Sequence, residues 1–123
     1  MSGQIQWRAA ACLLAWAIAQ APAAIAHAVV KQSVPSEGAV LAVAPAEVII
    51  TFNEKIDKVF SGASLHDAAG ATVSSGKALV DPANAAVLKL AVPTLKAGKY
   101  TVQWHAVGHD GHRLAGQLHF SVK

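Results

Sequence analysis

The sequence predicts an all-β domain, an antiparallel β-sandwich or Greek-key β-barrel, and three observations carry that prediction. Apolar and polar residues alternate in short runs, as where Tyr100, Val102, Trp104 and Ala106 interleave with Thr101, Gln103 and His105. Turns rich in Pro, Gly, Asp and Asn separate these runs at regular spacing. Beyond residues 1–26 no convincing 3.6-residue period marks a helix. The 123 residues suffice for one domain and are too few for two.

In chain order, residues 29–34 read as a first strand ending in the turn Pro35-Ser36-Glu37-Gly38. A brief apolar piece, 39–43, precedes Ala44-Pro45-Ala46. Residues 47–52 carry Val48, Ile49, Ile50 and Phe52, so both faces are apolar, as in a strand buried on two sides. Residues 53–58 are charged and read as a loop or a single helical turn, followed by Val59 and Phe60. Residues 63–66, the turn Asp67-Ala68-Ala69-Gly70 and residues 71–75 form an expected hairpin. After the turn Asp81-Pro82-Ala83-Asn84, residues 87–92 place Leu88, Leu90 and Val92 on one face and Lys89 on the other. The turn Lys96-Ala97-Gly98-Lys99 opens the clearest strand, 100–107, and Leu118, Phe120 and Val122 alternate in the last one.

Residues 1–26 have the pattern of a secretory signal peptide. Arg8 supplies the basic head, and residues 9–19 form an apolar run too short to span a membrane comfortably. Ala24-Ile25-Ala26 gives the cleavage signature, and Cys12 lies inside the apolar run, which argues against a lipoprotein. The expected mature domain is 27–123 and begins with His27. Met1 and Cys12 leave with the leader, so disulfides and thiolate or thioether metal sites are excluded. Arg8 leaves too, taking the formal charge from +3 to +2. No run of one sign appears, so nothing in the sequence suggests nucleic acid or an anionic membrane.

The chemistry-bearing stretch is His109-Asp110-Gly111-His112, between the last two strands. If Asp110-Gly111-His112 is extended, its two side chains leave one face and converge, offering a carboxylate and an imidazole to copper or zinc. The same residues suit a solvated turn. A chain that starts at His27 adds an α-amine and an imidazole Nδ1, which close a six-membered chelate ring on one cation. Together with Asp110 and His112 this makes three nitrogens and one oxygen, a set suited to tetragonal copper(II). The alternative for His27 is a frayed chain end.

A set of spaced motifs resembles the CopC-like periplasmic copper-binding proteins over essentially the whole mature chain. They begin with His27-Ala28, Ser33-Val34-Pro35, Glu37-Gly38, Ala44-Pro45 and Phe52-Asn53-Glu54. They continue with Phe60-Ser61-Gly62, Leu65, Asp67 and Gly70, then run from Gly98-Lys99-Tyr100-Thr101 through Val102-Gln103-Trp104 to Ala106-Val107. Asp110-Gly111-His112, Gly116 and Phe120-Ser121-Val122 complete them. The resemblance implies an immunoglobulin-like β-sandwich or Greek-key barrel that binds one copper(II) ion through His27, Asp110 and His112. Glu54 matches the acidic residue of the family's Phe-x-Glu segment, an outer-shell or occasional ligand; its other reading is a solvated loop carboxylate. The implied role is copper homeostasis or resistance in the periplasm, as a monomer without turnover, passing copper to a CopD-like inner-membrane protein. Some members bind copper(I) through a methionine-rich loop; residues 65–76 contain no methionine.

Three other readings compete with this one. A terminal-histidine copper oxygenase needs an open coordination position and a broad aromatic face, and Trp104 and Tyr100 look like core residues. His105, His109 and His112 would share a helical face as zinc ligands, but the alternation over 100–107 favours a strand. A metal-free interaction sandwich is the blandest. Ser, His and Asp occur without a nucleophile elbow or other hydrolase context.

Overall fold

Alternating β-branched and aromatic residues between turn formers build two four-stranded sheets, seen here in a computed structural model that describes residues 29–74 and 76–123. The strands are β1 (Val30–Val34), β2 (Ala39–Leu41), β3 (Glu47–Phe52) and β4 (Gly62–Asp67), then β5 (Leu79–Asp81), β6 (Asn84–Ala91), β7 (Gly98–Val107) and β8 (Arg113–Val122). One sheet runs β1-β3-β6-β5 and the other β2-β8-β7-β4. All pairings are antiparallel except β2 with β8. The all-β sandwich expected from the sequence is what forms, and His27 and the leader lie outside the described residues.

The inner faces supply one core. Val48, Ile50 and Phe52 of β3 meet Leu88 and Leu90 of β6, Leu65 of β4, Val102 and Ala106 of β7, and Leu118, Phe120 and Val122 of β8. Phe52 meets Trp104 edge-on at 5.3 Å, and Tyr100 stacks on Phe120 at 5.6 Å. The Tyr100 hydroxyl donates to the Lys96 carbonyl at 2.6 Å, pinning the turn that starts β7.

Some elements differ from expectation for physical reasons. β3 is buried on one face only, because a two-layer sandwich covers one side of each sheet; Ile49 and Thr51 are half-buried on the other. Ile49 lies opposite Val34 and Lys89, whose side chains flank it. The second arm of the 63–75 hairpin shrinks to a His66–Thr72 bridge and a Val73 N–H bond to the Leu65 carbonyl. Its turn forms as expected, with Asp67 Oδ1 accepting the N–H groups of Ala69 and Ala71. β5 was not expected; Leu79 and Val80 pair with Lys89 and Leu88 of β6, and Asp81 with Asn84, where β6 begins three residues ahead of the alternating run read from the sequence.

The first part of the chain serves both sheets. β1 pairs with β3, the chain turns through Pro35-Ser36-Glu37-Gly38, and β2 pairs with the end of β8. Glu37 fixes the crossing: Oε2 accepts the His119 N–H and Oε1 meets His119 Nδ1, both at 2.9 Å.

Candidate metal centre

The β7–β8 connection is closed by its own backbone. Gly108 N–H donates to the His112 carbonyl and Gly111 N–H to the Gly108 carbonyl, both at 3.0 Å. Gly111 takes φ +82°, a left-handed conformation that glycine adopts without cost. The tripeptide Asp110-Gly111-His112 is therefore bent rather than extended, and the turn itself brings the two side chains together. Asp110 Oδ1 accepts the His112 N–H at 3.0 Å, and Oδ2 meets His112 Nδ1 at 2.7 Å. The backbone N–H of His112, then its ring, hold the Asp110 carboxyl below the usual aspartate range. With the Nδ1 proton donated to Asp110, the ring's acceptor lone pair is on Nε2.

Glu54 reaches the same corner from the loop after β3. That loop is stitched down at several points. Ile56 bridges Gly108, Ile56 N–H donates to the Ala85 carbonyl, and Asp57 N–H donates to the Val107 carbonyl. Glu54 Oε1 is buried with no hydrogen-bond partner among the described residues. It lies so close to Gly108 that a Cβ there would collide with it, and that Cβ would lie 3.0 Å from Asp110 Oδ1. Two carboxylates thus flank one glycine, and one has an oxygen that nothing among the described residues satisfies. A buried acceptor of that kind favours a cation or a proton beside it.

The residue before Glu54 holds the start of the described chain. Asn53 Oδ1 accepts the Val29 N–H at 2.8 Å, and Asn53 N–H donates to the Val29 carbonyl at 3.0 Å. Sequence reasoning assigned Asn53 no role, and a single polar residue at a strand end carries no signal of such a clamp.

Among the described residues no three His, Cys, Asp or Glu side chains group to hold a metal ion. The structure brings Asp110, His112 and Glu54 to one end of the sandwich, while His27 lies outside the described residues. The remaining histidines are elsewhere. His105 is exposed on β7 with its ring over Gly62, His66 lies between the hydroxyls of Ser64 and Thr72, and His119 pairs with Glu37. His109 is exposed and lines a cleft with Lys55 and Lys58. His105 belongs to strand β7, so the helical zinc face does not exist.

Comparison with known proteins identifies the family to which this sandwich belongs. Residues 30–123 match the family model of the CopC domain. The chain is 38% identical over 125 residues to copper resistance protein C of Pseudomonas syringae pv. tomato, covering 93% of this chain and 90% of that protein. It is similar in fold to the crystal structure of CopC from Methylosinus trichosporium OB3b, with a TM-score of 0.74 and 27% identity over 79% of this chain and 94% of that one. PcoC, a methionine-rich copper resistance protein from Escherichia coli, aligns with a TM-score of 0.69 and 30% identity, covering 80% of this chain and all of that one. Sandwich, sequence and coverage agree: this chain belongs to the CopC family of copper resistance proteins.

Proposed function

We propose that the mature protein, residues 27–123, is a periplasmic copper(II) carrier that holds one ion through His27, Asp110 and His112, with Glu54 at its edge. The observation that carries this reading is the Asn53 clamp. It fixes Val29 two residues after His27, and Glu54 follows Asn53 directly. Two residues span at most about 7 Å, so covalent geometry limits how far His27 can lie from Asn53, which Glu54 follows, and that limit supports the reading. The donor chemistry fits copper(II). Nitrogen donors from the chain start and His112 combine with carboxylate oxygen, and no thioether remains to select copper(I). The orphaned Glu54 oxygen supports a cation at the same place.

Asp110 has two roles in this reading. It keeps His112 in the tautomer whose Nε2 carries the lone pair, and it presents Oδ1 on the Glu54 side. The protein binds and releases the ion without turnover, as a monomer, and passes it to a CopD-like inner-membrane protein. It has no nucleic-acid partner and no stable membrane association once the leader is removed.

The test is a copper(II) titration of protein that starts at His27, read by electron paramagnetic resonance. One tetragonal site per chain is expected. His27→Ala and His112→Ala weaken it severely, and so does adding residues ahead of His27, which blocks the amine. A titration unaffected by such an extension would remove the terminal chelate, and the mass of the exported protein checks where the mature chain begins.

A further inference from the structure

Beside the metal loop lies a second feature that copper binding does not use. The segment after Glu54 is held rigidly yet presents its apolar side chains to solvent. Asp57 Oδ1 accepts the N–H groups of Val59 at 2.7 Å and Phe60 at 2.9 Å. On one side Ile56 is buried and bridged to Gly108; on the other, buried Ser61 accepts the Val107 N–H through Oγ at 3.0 Å. Between these anchors Val59 is 68% exposed and Phe60 59% exposed. Large apolar side chains held out by a fixed backbone lose little further freedom on binding.

Phe60 forms a ridge between two clefts. One, of about 730 Å³, includes Lys55, Lys58 and His109; the other, of about 540 Å³, includes His105 and Arg113. The cationic groups come from separate parts of the sequence and meet only in the fold. Of the carboxylates lining the clefts, Asp57 accepts the two N–H groups of its own turn and keeps its charge, while Asp81 pairs with Lys89 at 3.4 Å. Among the described residues no ion pair involves Lys55, Lys58 or Arg113. These three cations outnumber Asp57 and Asp81, and Lys89 offsets Asp81, so the apolar ridge sits in a modestly positive surround.

We propose that the Val59–Phe60 ridge and its two clefts dock a protein partner that presents carboxylates around apolar side chains. Charge complementarity selects an acidic partner, and clefts on both sides of Phe60 accept protruding side chains, which a lipid surface does not offer. The large cleft includes Gly108 and Gly111, so a partner seated there touches the metal loop. Docking itself does not depend on the copper reading.

The experiment uses metal-free mature protein labelled with ¹⁵N and a short synthetic peptide alternating aspartate with leucine. Amide shifts are expected at residues 55–60 and 105–115, with binding that weakens as salt rises. Lys58→Glu combined with Phe60→Ala weakens binding about tenfold or more. The same double variant keeps an unchanged copper titration, which shows it is folded and separates this proposal from the metal site. Any of four results overturns it: no binding, equal binding of a lysine–leucine peptide, shifts confined to another face, or an unaffected double variant. Binding to phosphatidylglycerol vesicles but not to the peptide would make the face a membrane contact and overturn the proposal. So would a dimer that the double variant abolishes, which would make a second copy the occupant.

Discussion

Asp110 is bonded twice to one neighbour, and that detail makes its replacement informative. Asp110→Asn keeps an oxygen for the His112 N–H but turns an amide donor toward His112 Nδ1. The ring proton is then driven to Nε2, and copper affinity falls about 10- to 100-fold with little change in fold, as a copper titration checks. Glu54→Gln removes a charge from a buried oxygen that nothing among the described residues satisfies. The metal-free protein gains stability in thermal unfolding, while copper affinity falls about tenfold; a solvated loop carboxylate would change neither. Glu37 gives a pH prediction away from the metal loop. The His119 backbone N–H, then the His119 side chain, lower its pKa from the ordinary 4.5. A carboxyl lowered by folding contributes its full stabilisation above its unfolded pKa and loses it as pH falls through the folded one. The protection factor of the His119 amide against hydrogen exchange, taken relative to its intrinsic rate at each pH, therefore falls on acidification below about 4.5, and Glu37→Gln flattens that profile. At this scale the sequence offered donor types, but Asp110 and His112 equally suit a solvated turn, and the ligand set with His27 came from the family resemblance. It did not expose Asn53, whose role exists only because Val29 runs beside it.

Strands with strong alternation were legible because one face of each meets the same core. β7 and β8 follow this rule, and their buried residues are those the pattern marks, with Trp104 half-buried; β3, apolar on both faces, read as buried on two sides and is buried on one. Short elements were not legible. β2 and β5 have three residues each, too few to show a period, and they exist because longer neighbours offer an edge. Likewise the bend at Gly111 comes from the closed backbone of the β7–β8 connection, which no two-residue spacing reveals. One glycine within β8 carries a clear prediction. A Cβ at Gly116 would press into the Trp104 ring, 2.7 Å from Cε2. Gly116→Val must displace that ring and its contact with Phe52, which costs about 1–3 kcal/mol in chemical denaturation. Gly76→Ala, where a Cβ meets nothing within 4 Å, costs far less.

The molecule as a whole is a sandwich whose proposed site assembles from the chain start, the loop after β3 and the β7–β8 connection. Ligand binding to the folded state alone raises stability by about 4 kcal/mol at a thousandfold excess over Kd. For a domain of this size each kcal/mol moves Tm by about 4–8 °C. Copper(II) should therefore raise Tm substantially in protein beginning at His27, and much less when residues precede it; differential scanning calorimetry checks both. The fall in affinity on acidification belongs to the same scale. The α-amine, near pKa 7.7–8.0, and imidazoles, near 6.5, compete for protons, so apparent affinity drops between about pH 7 and 5.

The seating of β2 against β8 has a temporal consequence. Gly38 N–H bonds the His119 carbonyl, and the N–H of Lys123, the final residue, bonds the Leu41 carbonyl. Synthesis runs from the amino end, so β2 is made long before β8 offers it an edge. The seam is a late, long-range closure, and its sheet stays incomplete until β8 and Lys123 are in place.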